Sequence, residues 1–308
     1  MGRTLAETIT ERSRWHLQEN NGILLAQCVR AVGWIGGTVP HLTEADGVVE
    51  LPICDVSGPG FACGAALVGR RPILIIRYQG FMWYDCPTLI NYAAKSKEIW
   101  GVPCPVFIRS IAMEGNGIGP VASSSHHGMF MRPPGCAVVA PMTPNEWDEI
   151  WKWYLDNDDP IYVSEHRRSF SIDHEMSNAI NPNSKITILA ISSGRLNALE
   201  AIKLLEADGI ECDLFHQLWL KPFKVKDEVI ESLTKTKLGL VVDSDFSICG
   251  PSRSFAYELM HKSPAKIYAL GLEDRTCGVA PEKENCAPSA KRIFLCTKEL
   301  VKNGYTTI

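Results

Sequence analysis

Apolar residues fall into short runs separated by stretches of helical spacing, and this alternation predicts the elements. Residues 23–29 (ILLAQCV), 48–53 and 72–78 (PILIIRY) are each long enough for a strand buried on both faces. Residues 105–109 (PVFIR), 136–140 (CAVVA) and 161–164 continue the series. Between them, residues 4–20, 58–68, 85–100 and 145–156 read as helices. The second of these, GPGFACGAALV, is small enough to pack closely on a sheet. Residues 33–37 (GWIGG) read as a glycine-rich loop, too generic to signal a phosphate site.

Residues 171–185 are polar and turn-rich and predict a linker. Beyond them the pattern restarts, with strands expected at 186–191, 212–215, 238–242 and 266–269. Helices are expected at 196–208, 227–235, 254–260 and 289–302. Apolar strands that alternate with helices imply parallel sheets covered on both faces. The expected fold class is α/β with two domains, residues 1–170 and 186–308, each a mostly parallel sheet with helices on both faces.

Composition narrows the function classes. A length of 308 residues fits two domains of about 150 each. The net charge of −4 argues against a nucleic-acid partner, which calls for a basic excess. No apolar run reaches the ~18 residues of a membrane span, and the polar start of the chain predicts no secretory signal. The 11 cysteines are scattered, with no C-x-x-C pair. That pattern suits neither a disulfide framework nor a zinc site. Free thiols in a cytoplasmic protein are expected, with no metal held by this chain.

In an open α/β sheet, ligands bind beyond the carboxyl ends of the strands. Three strand exits carry chemistry: residues 54–60 with Asp55, residues 79–81 with Gln79 and Phe81, and residues 114–132 with His126 and His127. Taken singly, Asp55 also fits a cap on the helix near Gly58. Phe81 alone fits a core position, and the histidine pair a solvated loop. Arg77, on the strand leading in, suits either a surface ion pair or recognition of a substrate phosphate or carboxylate.

The order of the motifs adds to this reading. Residues 50–95, ELPICDVSGPGFACGAALVGRRPILIIRYQGFMWYDCPTLINYAAK, resemble the beta subunit of thiamine-diphosphate-dependent 2-oxoacid dehydrogenases, such as the decarboxylating component of pyruvate dehydrogenase. VPCPVFIRS, PPGCAVVAPMTP and DDPIYVSEHR follow in that family's order. ITILAISSG, ALEAIKLLEADGIECDLFHQLWLKP and GLVVDSDFSICG resemble the carboxyl-terminal domain shared with transketolases.

The resemblance implies a pyrimidine-binding domain for thiamine diphosphate. It also implies an alpha-type partner that holds the diphosphate and Mg2+ through a G-D-G motif with a downstream Asn, absent here. An α2β2 assembly follows, with a lipoyl transacylase core as a further partner if the enzyme is a dehydrogenase. Carried over by position, Asp55 takes the place of the glutamate that bonds a pyrimidine nitrogen, and Phe81 that of the aromatic that stacks on the ring. Gln79 joins the cofactor-binding set. The active-site histidine maps to His126 or His127, and a His-His-Gly sequence also resembles deoxyxylulose-phosphate synthases, where the first histidine corresponds.

Three departures stand out: Asp for Glu at 55, Pro87 for the usual Asp, and Arg77 where the family is apolar or neutral. The expected function is C–C cleavage beside a carbonyl in 2-oxoacid dehydrogenation. The alternatives are a two-chain transketolase or carboligase, and a non-catalytic partner that keeps the fold.

Overall fold

The computed structural model describes residues 2–115 and 117–303. Two compact units divide the chain. The first takes the residues up to Met113 together with Val121–Glu175, and the second takes Glu114–Pro120 together with the chain from Met176 onward.

The first unit opens with α1 (Leu5–Glu19), set by a capping box: Thr4 Oγ1 accepts from Glu7 N–H at 3.2 Å, and the Glu7 carboxylate accepts from Thr4 N–H at 2.8 Å. Strand β1 (Gly22–Gln27) leads to α2 (Gly33–Gly37), a turn of left-handed helix with Trp34 at φ 55° and Ile35 at φ 51°. The expected glycine loop is therefore a defined conformation. Strands β2 (Val48–Leu51) and β3 (Arg71–Ile76) enclose α3 (Gly58–Leu67) in sequence. Helices α4 (Met82–Thr88) and α5 (Ala94–Trp100) stand where one helix was expected, joined by a π turn at Leu89–Ala93. Pro87 lies inside α4, and its missing N–H breaks the regular ladder. Strand β4 (Phe107–Ala112) starts later than its apolar run, because Pro103 and Pro105 cannot donate to a ladder. Helix α6 (Gly128–Met131), β5 (Ala137–Val139), α7 (Pro144–Asp156) and β6 (Ile161–His166) complete the unit.

These strands run in the order β2-β1-β3-β4-β6-β5, and their neighbouring pairs are parallel. β1 pairs with β2 on one side and β3 on the other, so the strand order reverses there. That reversal opens a crevice beyond the carboxyl ends of β1 and β3, the place where doubly wound sheets bind ligands.

Aromatic side chains of α7 fill one side of the sheet. Trp147, Trp151 and Tyr154 meet Phe107 of β4 edge-on at 4.9–5.6 Å between ring centroids. His16 of α1 joins this core with both ring nitrogens bonded, Nε2 donating to Arg71 O at 2.7 Å and Nδ1 accepting from Asn20 at 3.1 Å. Burial pushes its pKa down to about 4. Arg109 of β4 is also sealed from water. Its Nε and Nη2 grip the Glu165 carboxylate at 2.7 and 2.8 Å, and Nη2 also donates to Thr38 Oγ1 at 2.9 Å.

The second unit contains β7 (Ile186–Ile191), α8 (Gly194–Ala207), β8 (Cys212–Gln217), the short β9 (Trp219–Lys221) and α9 (Asp227–Thr236). It continues with β10 (Leu238–Phe246), α10 (Pro251–Lys262), β11 (Lys266–Leu272) and α11 (Ala290–Asn303). A parallel sheet in the order β11-β10-β7-β8 packs its apolar side chains against α8 and α11. Asp213 of β8 is fully buried and accepts from Asn181 N–H, Ser184, Ser232 and Lys235. Burial pushes its pKa up, but these bonds outweigh it and hold the carboxyl below its ordinary value. The expected α/β class with two parallel sheets is what the chain adopts. Its cysteines are free thiols, and among the described residues no helix is long and apolar enough to cross a membrane.

The buried Arg109–Glu165 pair yields a stability prediction. Arg109→Met strands a carboxylate in a dry interior and costs about 3–5 kcal/mol. Combining it with Glu165→Leu recovers most of that loss in urea denaturation. An Arg109→Met variant as stable as the wild type refutes the role given to the pair.

Candidate active site

The crevice at the strand-order reversal holds a cavity of about 200 Å3. Gln27 and Cys28 reach it from the end of β1, Asp55 from the segment after β2, Arg77 from the end of β3, and Phe81 and Asp85 from the helical stretch beyond. The apolar walls include Leu74, Ile75 and Ile76 of β3. A mostly apolar cavity with a few polar side chains in its lining suits a small heterocyclic ligand.

Asp55 does not cap α3. That helix starts without a side-chain capping bond, and the Asp55 carboxylate instead accepts from Gln27 Nε2 at 2.9 Å. The Gln27 amide thus fixes the orientation of a carboxylate at the cavity. Phe81 is half-buried and meets Tyr78 edge-on at 5.8 Å, which leaves it part of the cavity wall. Arg77 places its guanidinium over the Tyr78 ring at 5.0 Å. Its buried Nε has no hydrogen-bond partner among the described residues.

Gln79 has a different place from the one expected. Its side chain is fully buried and points away from the cavity into the sheet. Nε2 donates to Ser164 Oγ at 2.8 Å and Ser110 O at 3.1 Å, while Oε1 accepts from His126 N–H at 2.7 Å. Gln79 therefore ties the histidine loop to β4 and β6 and does not line the cavity. Gly80 brings the same loop close, since a Cβ there would lie 1.6 Å from the Val121 carbonyl oxygen.

The two histidines separate. His127 is fully buried, with Nδ1 2.9 Å from Ser164 Oγ, the hydroxyl that Gln79 also uses. His126 is partly exposed and lies edge-on to the exposed Trp83 at 6.2 Å. Burial lowers its pKa, the hydrogen bond to Ser123 O opposes this, and the His127 ring lowers it further. The net effect favours the neutral imidazole. Neither histidine lines the cavity itself.

Two cavity residues escaped the sequence reading. Gln27 is a polar residue at the end of an apolar strand, an available signal. Asp85 lies four residues after Phe81 on a helical stretch, hence on the same face. Its side chain is 4% exposed. Burial, then the nearby Asp55 charge, push its pKa up to about 8.

Comparison with known proteins gives this geometry a context. Residues 17–171 match the family described as "Transketolase, pyrimidine binding domain", and residues 159–292 match "Transketolase, C-terminal domain". The acetoin:2,6-dichlorophenolindophenol oxidoreductase subunit beta of Cupriavidus necator is 26% identical over 287 residues, covering 86% of this chain and 83% of the relative. The pyruvate dehydrogenase E1 component subunit beta of Rickettsia felis is 25% identical, covering 70% of each chain. The 2-oxoisovalerate dehydrogenase subunit beta of Bacillus subtilis is 27% identical, covering 64% of each. A solved structure titled "Split gene transketolase, inactive beta4 tetramer" superposes with a TM-score of 0.75 at 19% identity, over 98% of this chain and 99% of that one, which speaks to the fold. These matches bear out the resemblance drawn from the motif series.

The raised Asp85 pKa sets a pH dependence. The folded state keeps a proton that the unfolded chain releases above its ordinary value near 4. The resulting stability is complete below about pH 4 and is lost as pH rises towards about 8. Asp85→Asn removes this decline, so the variant gains on the wild type across that window in denaturant midpoints followed by circular dichroism. A wild-type midpoint that declines no more than the variant's contradicts the assignment.

Proposed function

The chain belongs to the transketolase family, with its pyrimidine-binding and C-terminal domains, and from that premise we propose that it is the beta-type subunit of a thiamine-diphosphate-dependent enzyme acting in 2-oxoacid decarboxylation and dehydrogenation. The observation that carries this reading is the convergence of Asp55, Phe81 and Asp85 on one cavity at the β1/β3 crevice. The donor set fits an aminopyrimidine: an aromatic wall for its face, and carboxyl groups for its ring nitrogens and amine. The chain has no G-D-G motif for a diphosphate. An alpha-type partner supplies that half of the site with Mg2+, in an α2β2 complex, and a lipoyl transacylase core takes the product.

The cofactor, when bound, supplies the nucleophilic carbon and the electron sink. The chain's own residues position it and manage protons. Phe81 offers a ring for stacking, about 0.5–1.5 kcal/mol beyond area burial. Asp55, oriented by Gln27, would face a ring nitrogen and accept its hydrogen bond once that nitrogen carries a proton. His126 takes up or delivers a proton at the substrate carbonyl. Gln79 and His127 hold the His126 backbone in place from beneath. Arg77, which lines the cavity from the β3 exit, supplies a guanidinium charge for a substrate carboxylate or phosphate. A phosphate on that arginine favours the second reading, a two-chain transketolase.

The complex reconstituted with its alpha-type partner should reduce an artificial electron acceptor with pyruvate, dependent on thiamine diphosphate. Asp55→Ala and His126→Ala should each lower kcat by about 10²–10⁴-fold, the span of a lost acid–base group. His127→Ala should show chiefly as a lower melting temperature. Ketol transfer between sugar phosphates without acceptor reduction selects the transketolase reading. Unchanged turnover in Asp55→Ala selects a scaffold role and defeats the proposal.

A further inference from the structure

Position 55 has a carboxylate one methylene shorter than the glutamate that the family resemblance implies, and Gln27 already engages it. A second carboxyl group faces the same cavity. Asp85 is 4% exposed, lines the cavity, and has no side-chain hydrogen bond or ion pair among the described residues. Buried polar groups almost always have a partner, so one left without it and turned into a cavity points to a ligand.

The placement fits a ring. Phe81 and Asp85 are one helical turn apart, so a heterocycle stacked on Phe81 has the Asp85 carboxyl at its edge. The other charged or titratable groups facing the cavity are Asp55 from the β2 exit, Arg77 from the β3 exit and Cys28 from the β1 exit. None of them forms an ion pair with Asp85. Burial favours the protonated form of the Asp85 carboxyl, which offers an O–H donor and a carbonyl acceptor together. An aminopyrimidine has the matching set, ring nitrogens that accept and an amine that donates.

We propose that Asp85 is a second cofactor-binding carboxyl group, hydrogen-bonded to the edge of the aminopyrimidine alongside Asp55. The proposal rests on the thiamine-diphosphate reading above. It explains how a site with a shortened side chain at position 55 keeps two polar contacts to the ring.

The test uses the complex with the alpha-type partner and measures binding of thiamine diphosphate with Mg2+ by quenching of tryptophan emission, across about pH 6 to 9. Asp85→Ala should weaken binding by about 10-fold, the upper value of one net hydrogen bond. Asp85→Asn, equal in size, should weaken it less and should lack the pH dependence of the wild type. Wild-type affinity in Asp85→Ala overturns the proposal and leaves the thiamine-diphosphate reading intact. Equal weakening in both variants with the wild-type pH profile also overturns it, since that pattern marks a structural residue. A wild-type complex that binds no thiamine diphosphate overturns both.

Discussion

Arg109 and Glu165 meet where no water reaches them, and each satisfies the charge that the other could not keep alone. Their strands are locked in register, with Ile111 opposite Glu165 and Ser110 opposite Ser164. Side chains alternate along a strand, so the ion pair occupies one face and the two serines the other. Ser110 O and Ser164 Oγ are the groups that receive the Gln79 amide. Slipping one strand by a residue breaks the ion pair and the seat of the histidine loop together. The same guanidinium reaches Thr38, next to the left-handed turn of α2. That turn holds two non-glycine residues in a conformation that costs about 1–2 kcal/mol each, and its anchor is the sheet interior.

The sequence reveals this fold because its signals are local. Continuous apolar strands such as ITILAI and PILIIRY, with helices between them, leave few arrangements other than parallel sheets. Departures come where local chemistry interrupts the pattern. Pro103 and Pro105 delay β4, and Pro87 splits the helix that follows Phe81. In the GWIGG segment, glycine content suggests a loop, while the conformation is fixed by side chains distant in sequence, Arg109 among them.

The site is legible in part. Asp55, Arg77 and Phe81 lie at strand exits, where chain order alone places them. Gln27 and Asp85 matter only once β1, β2 and β3 are laid side by side, because their significance comes from which strand ends share a crevice. Gln79 shows the opposite case. A polar residue at a strand exit suggests a ligand contact, yet the backbone turns it inward, where its amide meets Ser110, Ser164 and the His126 backbone. Telling His126 from His127 likewise needs three dimensions, since adjacent residues differ here by which of them finds Ser164.

Gly80 lies between Phe81, which lines the cavity, and the segment that leads to the histidines. The Val121 carbonyl already occupies the space that any other residue's side chain would need. A side chain at position 80 would therefore push the Phe81 segment and the histidine segment apart, so this one position couples the cavity wall to the loop that carries His126.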